Sequence, residues 1–261
     1  MPGSTNYGPQ AIGMAIGLII IGDELLSGKR RDKHLPRLIE ILGERGLELA
    51  WASMVGDDAT RLTRLLEQSL GSEDIVFSFG GIGATPDDRT RQCAAAAAGL
   101  ELVRHPEAVA LLEARFGSET YPNRIRMAEL PAGSVLIPNP VNQIPGFSLR
   151  DHHFVPGFPN MAWPMVEWVL DTRYRDLFGS APPMERLIRV FDTPESELIP
   201  LMESLLDGIP GIAVSSLPST ERRGEVELGV RGTPEGVGLG IEQLTEGLDR
   251  LGARWEWSQP T

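Results

Sequence analysis

The sequence holds one cysteine, Cys93, in 261 residues, so no intrachain disulfide can form and no zinc-cysteine cluster can be built. A reducing cytoplasm fits that usage. Lysine is nearly absent: Lys29 and Lys33 are the only two, and arginine supplies the rest of the positive charge, which reads first as compositional bias of the source genome. Positive charge of any kind is scarce. There are 36 acidic residues against 24 basic ones, net −12, a balance that disfavours nucleic acid or an anionic membrane surface as the main partner. An anionic ligand must then be held locally. The four histidines, His34, His105, His152 and His153, lack HExxH spacing, and no apolar run approaches the roughly 18 residues a membrane helix needs. The chain reads as soluble and cytoplasmic.

What is present is an alternation of apolar runs and helical patterns. Residues 1–13 are polar, rich in Gly and Pro and without a signal-peptide core, and are expected to be a disordered extension before Met14. Ile16 to Ile21 predicts a strand buried on both faces, followed by a loop, Gly22 to Gly28, that carries Asp23 and Glu24 at the strand's carboxyl end. Asp32 reads as the cap of a helix with apolar positions Leu35, Leu38, Ile39 and Leu42, closed by Gly46, with Lys33 and His34 solvated in its first turn. Leu47 to Val55 predicts a second strand ending in Gly56-Asp57-Asp58. Asp58 or Thr60 then caps a helix that turns Leu62, Leu65, Leu66 and Leu70 to the core.

The most informative stretch is Ile75 to Arg91, IVFSFGGIGATPDDRTR. It reads as strand, glycine loop (Gly80, Gly81, Gly83), then a helix opened by Pro86. Glycines after a strand allow a sharp turn and present bare N–H groups, and a helix N-terminus adds partial positive charge, which suits a phosphate. The adjacent Asp87 and Asp88 would repel that phosphate unless a cation such as Mg²⁺ lies between, or unless one of them caps the helix. A tight turn with an Asp cap is the plainer alternative. The βαβαβα order predicts a largely parallel sheet with helices on both faces.

Beyond it, His105 to Phe116 predicts a helix with Val109, Leu112 and Phe116 on one side, and Tyr121 to Pro145, with five prolines, an extended wall of a site or a surface connection. Phe147 to Leu149 and His153 to Val155 flank Arg150-Asp151 as a hairpin, and a helix carrying Trp163 and Trp168 follows. Arg175 to Pro183 reads as a linker. The remainder, 184–258, predicts βαββα(β), a split βαβ unit of ferredoxin type, placed after a first domain over 14–174. Strands are expected at Leu187 to Phe191, Ile212 to Leu217, Glu225 to Val230 and Arg254 to Trp257, helices at Pro194 to Leu206 and Glu235 to Leu251.

Taken in order, Gly22-Asp23-Glu24 with Leu26-Ser27-Gly28, Asp32, Val55-Gly56-Asp57-Asp58, Gly80 to Thr90, Asn139-Pro140, Pro145-Gly146-Phe147 and Pro156-Gly157-Phe158-Pro159 resemble the N-terminal domain of competence/damage-inducible (CinA) proteins. That domain is grouped with the MoaB/Mog-like, molybdopterin-binding family. The resemblance covers roughly Ala15 to Leu170 and implies an α/β fold of three layers with a mostly parallel sheet, commonly in homo-oligomers. It further implies a small phosphorylated nucleotide or pterin as ligand and a divalent metal, Mg, Mn or Co. The implied phosphate or nucleotide set is Gly22, Ser27, Gly28, Gly80, Gly81, Gly83, Thr85, Thr90, Asn139, Pro145 and Gly146; the implied metal set is Asp23, Asp57, Asp87 and Asp88. Asp57, Asp88 and Lys33 are the implied catalytic residues, with His34 or Arg126 as other candidates to assist a leaving group.

Relatives of this fold either hydrolyse the pyrophosphate of ADP-ribose-like or other dinucleotides, adenylylate a pterin, or only bind. A metal-dependent pyrophosphohydrolase is the expectation, with the transferase and the non-catalytic binder as alternatives. The chain departs from the family's pattern at Asp32-Lys33-His34, Gly80-Gly81-Ile82-Gly83-Ala84-Thr85, Asn142-Gln143-Ile144 and Asn160, all in presumed ligand-facing loops. It also ends without the C-terminal domain that gives longer members a pyridine-nucleotide amidase activity, so that activity is expected to be missing.

Overall fold

Side chains on successive strand residues point to opposite faces, so six buried residues in a row need cover on both sides. Ile16–Ile21 is such a run, and it forms β1. In the computed structural model, which describes residues 14–179, 184–219, 222 and 224–258, β1 is followed by a one-turn helix α1 (Asp23–Leu26), α2 (His34–Gly43), β2 (Trp51–Val55), α3 (Ala59–Leu70), β3 (Ile75–Phe79) and α4 (Thr90–Ala98). Then come β4 (Leu102–Arg104), α5 (Pro106–Phe116), 3-10 turns at Gly117–Thr120 and Arg124–Ala128, β5 (Glu129–Pro131), β6 (Val135–Ile137), β7 (Gly146–Leu149), β8 (His152–Val155) and α6 (Pro159–Arg173).

The main sheet has the order β2-β1-β3-β8-β7-β6. Its first four strands are parallel, β7 runs antiparallel to β8, and β6, antiparallel to β7, closes that edge in the direction of the first four. On one face Ile19, Ile21, Val76, Phe147 and Phe154 pack with Leu62, Leu66 and Leu70 of α3 and with Cys93 and Ala94 of α4. On the other, the His34 ring of α2 lies 4.4 Å from Phe79 and α6 runs against β8. The small residues Cys93 and Ala94 are the ones α4 contributes to that core. The mixed α/β class with a mostly parallel sheet therefore stands.

Several local expectations are corrected. The Gly22 to Gly28 segment contains the helical turn α1 rather than only loop. The helix α2 stops at Gly43, three residues before Gly46, and Ile39 on it is half exposed while His34 is buried. Strand β2 begins at Trp51 rather than Leu47, because its partner β1 begins at Ile16 and the pairing starts with Gly17 and Trp51. Pro86 does not open α4, which starts at Thr90 with no side-chain cap. The proline-rich segment is not simply extended: it holds the 3-10 turn at Arg124–Ala128 and two short strands.

The β7-β8 hairpin forms as expected, with Arg150 at φ 57 in its turn. Behind it is a buried polar chain. The His153 ring reaches Ser148 Oγ at 2.8 Å through Nδ1 and Tyr174 Oη at 2.7 Å through Nε2, and Tyr174 donates to Asp151 at 2.6 Å. Because the tyrosine hydroxyl donates to the carboxylate, it accepts from Nε2–H, and Ser148 donates to Nδ1; a neutral imidazole satisfies every member.

By internal packing the described residues fall into two units, the first running to Leu177 and the second taking Gly43–Leu47 and everything from Phe178. The second unit consists of β9 (Met184–Phe191), α7 (Glu195–Gly208), β10 (Ala213–Pro218), β11 (Glu225–Gly232), α8 (Pro234–Arg250) and β12 (Arg254–Trp257). Its sheet order, β10-β11-β9-β12, is antiparallel throughout and places β11 between β9 and β10, the split arrangement read from sequence. Ile188, Val190 and Leu228 face Leu198, Leu205, Leu244 and Leu248 of its two helices. The expected extension at 1–13 and the linker's end at 180–183 lie outside the described residues.

Candidate functional site

The carboxyl ends of the parallel strands are where open α/β sheets leave a crevice, because the chain departs there to opposite faces. A cavity of about 450 Å³ lies at that edge in the first unit. After β3 the backbone turns at Gly80 and Gly81, with φ of 107 and 66. A Cβ on Gly80 would overlap the Ile21 carbonyl, and one on Gly81 would overlap the Thr90 hydroxyl. Thr90 is fully buried, donates to the Gly80 carbonyl at 3.0 Å, and its N–H bonds Gly81 O at 3.0 Å. It holds the loop from behind and does not line the cavity.

Gly80, Gly81, Ile82, Gly83 and Ala84 all line it. Among the described residues, none of the N–H groups of Gly81, Ile82, Gly83 and Ala84 has a hydrogen-bond partner. Thr85 N–H, next along, donates to Asp88 at 2.9 Å, and the Thr85 hydroxyl donates to the same carboxylate oxygen. Asp88 therefore closes the loop's own turn rather than capping α4, which is a role neither alternative from sequence contained.

Beneath the loop is Arg91, 1% exposed. It donates to the carbonyls of Gly83, Arg126 and Glu129. Sequence reasoning passed over it, since an arginine early in a helix normally reads as solvated; the only available signal was its position eight residues beyond Gly83.

The acids divide into two arrangements. Asp23 and Asp57 are crossed: Asp23 N–H donates to Asp57 Oδ2 at 3.0 Å and Asp57 N–H to Asp23 Oδ1 at 3.2 Å. Gly56 must be glycine for this crossing, because a Cβ there would overlap Asp23 Oδ1. Asp57 lines the cavity and Asp23 does not. Partial burial pushes the Asp57 carboxyl above its usual range; the Asp23 N–H opposes this, and the charges of Asp23, Glu24 and Asp87 add to it. Asp87, Asp88 and Glu24 line the cavity as well, against one cation, Arg30.

The far wall comes from the proline-rich segment and the loop before α6. Asn139 and Pro145 line it as expected, joined by Asn142, Ile144, Gly157 and Phe158. Asn139 is 5% exposed and its Oδ1 accepts from Val141 N–H at 3.0 Å, while its Nδ2 has no partner among the described residues.

Of the expected phosphate set, Gly22, Gly80, Gly81, Gly83, Thr85, Asn139 and Pro145 meet at this cavity. Ser27, Gly28 and Gly146 do not: the first two are exposed after α1, and Gly146 is inside β7 under Phe154 and Met165. Lys33 lines a neighbouring hollow of about 330 Å³ with His34. Burial lowers the His34 pKa, and its Nε2 lies 3.2 Å from Gly157 O; Asp32 accepts from the N–H groups of His34 and Leu35 at 2.8 and 3.0 Å. Arg126 does not line either hollow.

Asp23, Asp57, Asp87 and Asp88 do not converge as a ready-made metal cage, and no three His, Cys, Asp or Glu side chains do so among the described residues. The charged donors at the cavity are nonetheless all carboxylates, the hard donors suited to a magnesium-type cation. Such a cation commonly takes one or two carboxylates and completes its shell with phosphate oxygens and water. Asp57 and Asp88, each with one oxygen engaged and one remaining, fit that pattern.

Residues 17–176 match the family model described as "Probable molybdopterin binding domain". A CinA-like protein from Syntrophotalea carbinolica is 34% identical over 191 residues, 70% of this chain and 46% of the relative. Another from Geotalea uraniireducens is 31% identical over 252 residues, 92% of this chain and 59% of the relative. The chain thus spans about half the length of the curated relatives it matches. Among solved structures, the protein CinA of unknown function from Thermoplasma acidophilum superposes with a TM-score of 0.57 at 25% identity, covering 62% of this chain and 98% of that one. No described helix is long and apolar enough to cross a membrane. With the family model over more than half of its residues and relatives above 30% identity along most of its length, this chain belongs to the molybdopterin-binding-domain family, among the CinA-like proteins.

Proposed function

We propose that the first unit binds a small phosphorylated ligand of the nucleotide or pterin class in the 450 Å³ cavity, and cleaves a pyrophosphate bond in it with a divalent cation. The observation that carries this reading is the run of four N–H groups, Gly81 to Ala84, without partners on the wall of a cavity. Consecutive bare amides at a strand-to-helix turn match the three oxygens of a phosphate and would stabilise charge that grows on them. Arg91 and Thr90 hold that backbone in place from below, so little reorganisation accompanies binding.

Charge supplies the second argument. Four carboxylates against one arginine give the cavity walls a formal charge of about −3, and a phosphate enters such a place only with a counter-cation. Asp57 and Asp88 would hold that cation. When bound, it neutralises phosphate charge, polarises phosphorus and acidifies a water. Asp23 keeps Asp57 oriented through the crossed hydrogen bonds, and Arg30 supplies the cavity's one cationic side chain.

That no three metal-ligating side chains converge among the described residues favours a second reading, ligand binding without turnover. One experiment separates the two. The purified chain is incubated with ADP-ribose and a panel of dinucleotides in Mg²⁺, Mn²⁺ or Co²⁺, with products identified. AMP release that Asp57→Asn abolishes supports hydrolysis; tight binding by calorimetry with no product under any metal supports the binder; neither binding nor product sinks both.

A further inference from the structure

Both lysines of the chain lie within Lys29-Arg30-Arg31-Asp32-Lys33, so four of 24 basic residues fall in five positions of a protein with net charge −12. All four are solvent-exposed, but the fold gathers three of them at one place. Arg30, Arg31 and Lys33 rim the 330 Å³ hollow beside the candidate site, over an apolar floor that includes Ile20, Phe79 and Pro159. Among the described residues none of the three forms an ion pair. The acid within the run is otherwise engaged: Asp32 spends its two oxygens on the N–H groups of His34 and Leu35. Asp32 thereby occupies the start of α2 itself, so the positive character of the hollow comes from side chains and not from the helix end.

The two hollows are neighbours. Ile21, Glu24, Arg30 and Gly157 line both, and Arg30 is fixed at their boundary by its N–H bond to Glu24 O at 3.0 Å. One is dominated by acids and bare amides, the other by cations over a ring floor.

We propose that the second hollow is an anion subsite of the same ligand: the ligand carries two separated anionic groups, one at the glycine loop and one between Arg31 and Lys33. This rests on the reading that the first cavity takes a phosphate. It assigns Lys33 to ligand selection rather than to the reaction, and Arg31, which no sequence argument singled out, to the same task. A ligand with a single phosphate fills only the first cavity and leaves Arg31 and Lys33, both exposed, without a counter-charge. A ligand with a second phosphate or carboxylate neutralises them, so the pair of hollows selects doubly anionic compounds.

The test is calorimetric binding of adenosine 5′-monophosphate and adenosine 3′,5′-bisphosphate, with Mg²⁺, to the full chain, its Arg31→Gln/Lys33→Gln variant and Lys33→Arg. The unmodified chain is expected to prefer the bisphosphate. The double variant should lose about tenfold or more of bisphosphate affinity and less than about threefold for the monophosphate, a difference that shrinks in high salt, while Lys33→Arg keeps the preference. Equal losses for both ligands, no loss for either, or no bisphosphate binding to the unmodified chain overturns the subsite. Bisphosphate binding that needs Arg31 and Lys33 while the monophosphate fails to bind sustains the subsite and refutes the phosphate reading of the first cavity, so the two failures are distinguishable.

Discussion

Gly81→Ala and Gly28→Ala change the same atom in nearly the same backbone conformation, with φ of 66 and 72, but in different surroundings. At Gly28 nothing lies within 4 Å of the added Cβ, so the cost is that of an L-residue in left-handed space, about 1 kcal/mol. At Gly81 the added carbon overlaps the Thr90 hydroxyl, and relief requires that hydroxyl to leave Gly80 O. Thr90 is fully buried, so a broken hydrogen bond there costs a further ~1–3 kcal/mol. Gly81→Ala should therefore destabilise the first unit by about 2–4 kcal/mol against about 1 for Gly28→Ala. Urea unfolding followed by fluorescence, in a Trp255→Phe/Trp257→Phe background so that Trp51, Trp163 and Trp168 of the first unit report, measures both. Gly81→Ala should also weaken ligand binding, and Gly28→Ala should leave it alone. Equal destabilisation by the two variants would refute the claim that Thr90 and the glycine loop form one interlocked support.

Other outcomes follow from the same structure. Arg91→Leu removes the buried donor to three partly buried carbonyls and should cost ~2–4 kcal/mol, net of the relief of not burying a guanidinium, with a loss of ligand affinity larger than a distant core substitution of equal cost; comparing melts with titrations checks it. Because burial raises the Asp57 pKa, Mn²⁺ affinity should fall as pH drops through a value above the ordinary 3.8, and Asp57→Asn should flatten that dependence, which Mn²⁺ titrations followed by electron spin resonance would show. His152 is held neutral by burial, its pKa lowered from 6.5 to about 4. A base with a depressed folded pKa contributes stability that is whole above 6.5 and is lost as pH falls through about 4, and this shift corresponds to roughly 3 kcal/mol. Urea midpoints between pH 7 and 4 should drop, and His152→Gln should reduce the slope.

The sequence made the elements of this fold visible wherever a pattern was set by burial alone. The run Ile16–Ile21, the period of Leu62, Leu66 and Leu70, and the βαββαβ order after Met184 all express a requirement to cover an apolar surface. Boundaries failed where pairing partners decide them: β2 starts at Trp51 because β1 starts at Ile16. The glycine loop was legible because positive φ at Gly80 and Gly81 restricts residue type. The roles of the acids were not, because they depend on which N–H each one faces. Asp57 and Asp88 each hold a backbone N–H with one oxygen and still line the cavity, whereas Asp23 holds the Asp57 N–H from outside it, a division that only the folded distances reveal. Arg91 was invisible for the same reason: its burial depends on the 3-10 turn at Arg124–Ala128, far along the chain.

The central claim is that the bare amides of Gly81 to Ala84 receive a phosphate. A titration of the ¹⁵N-labelled chain with ADP-ribose and Mg²⁺, followed by amide shifts, tests it directly. The account predicts that the Gly81, Ile82, Gly83 and Ala84 amides move most, while Gly236 and Gly238 of the second unit stay in place. Binding that leaves those four amides unmoved, or no change anywhere in the spectrum at saturating ligand, would contradict it.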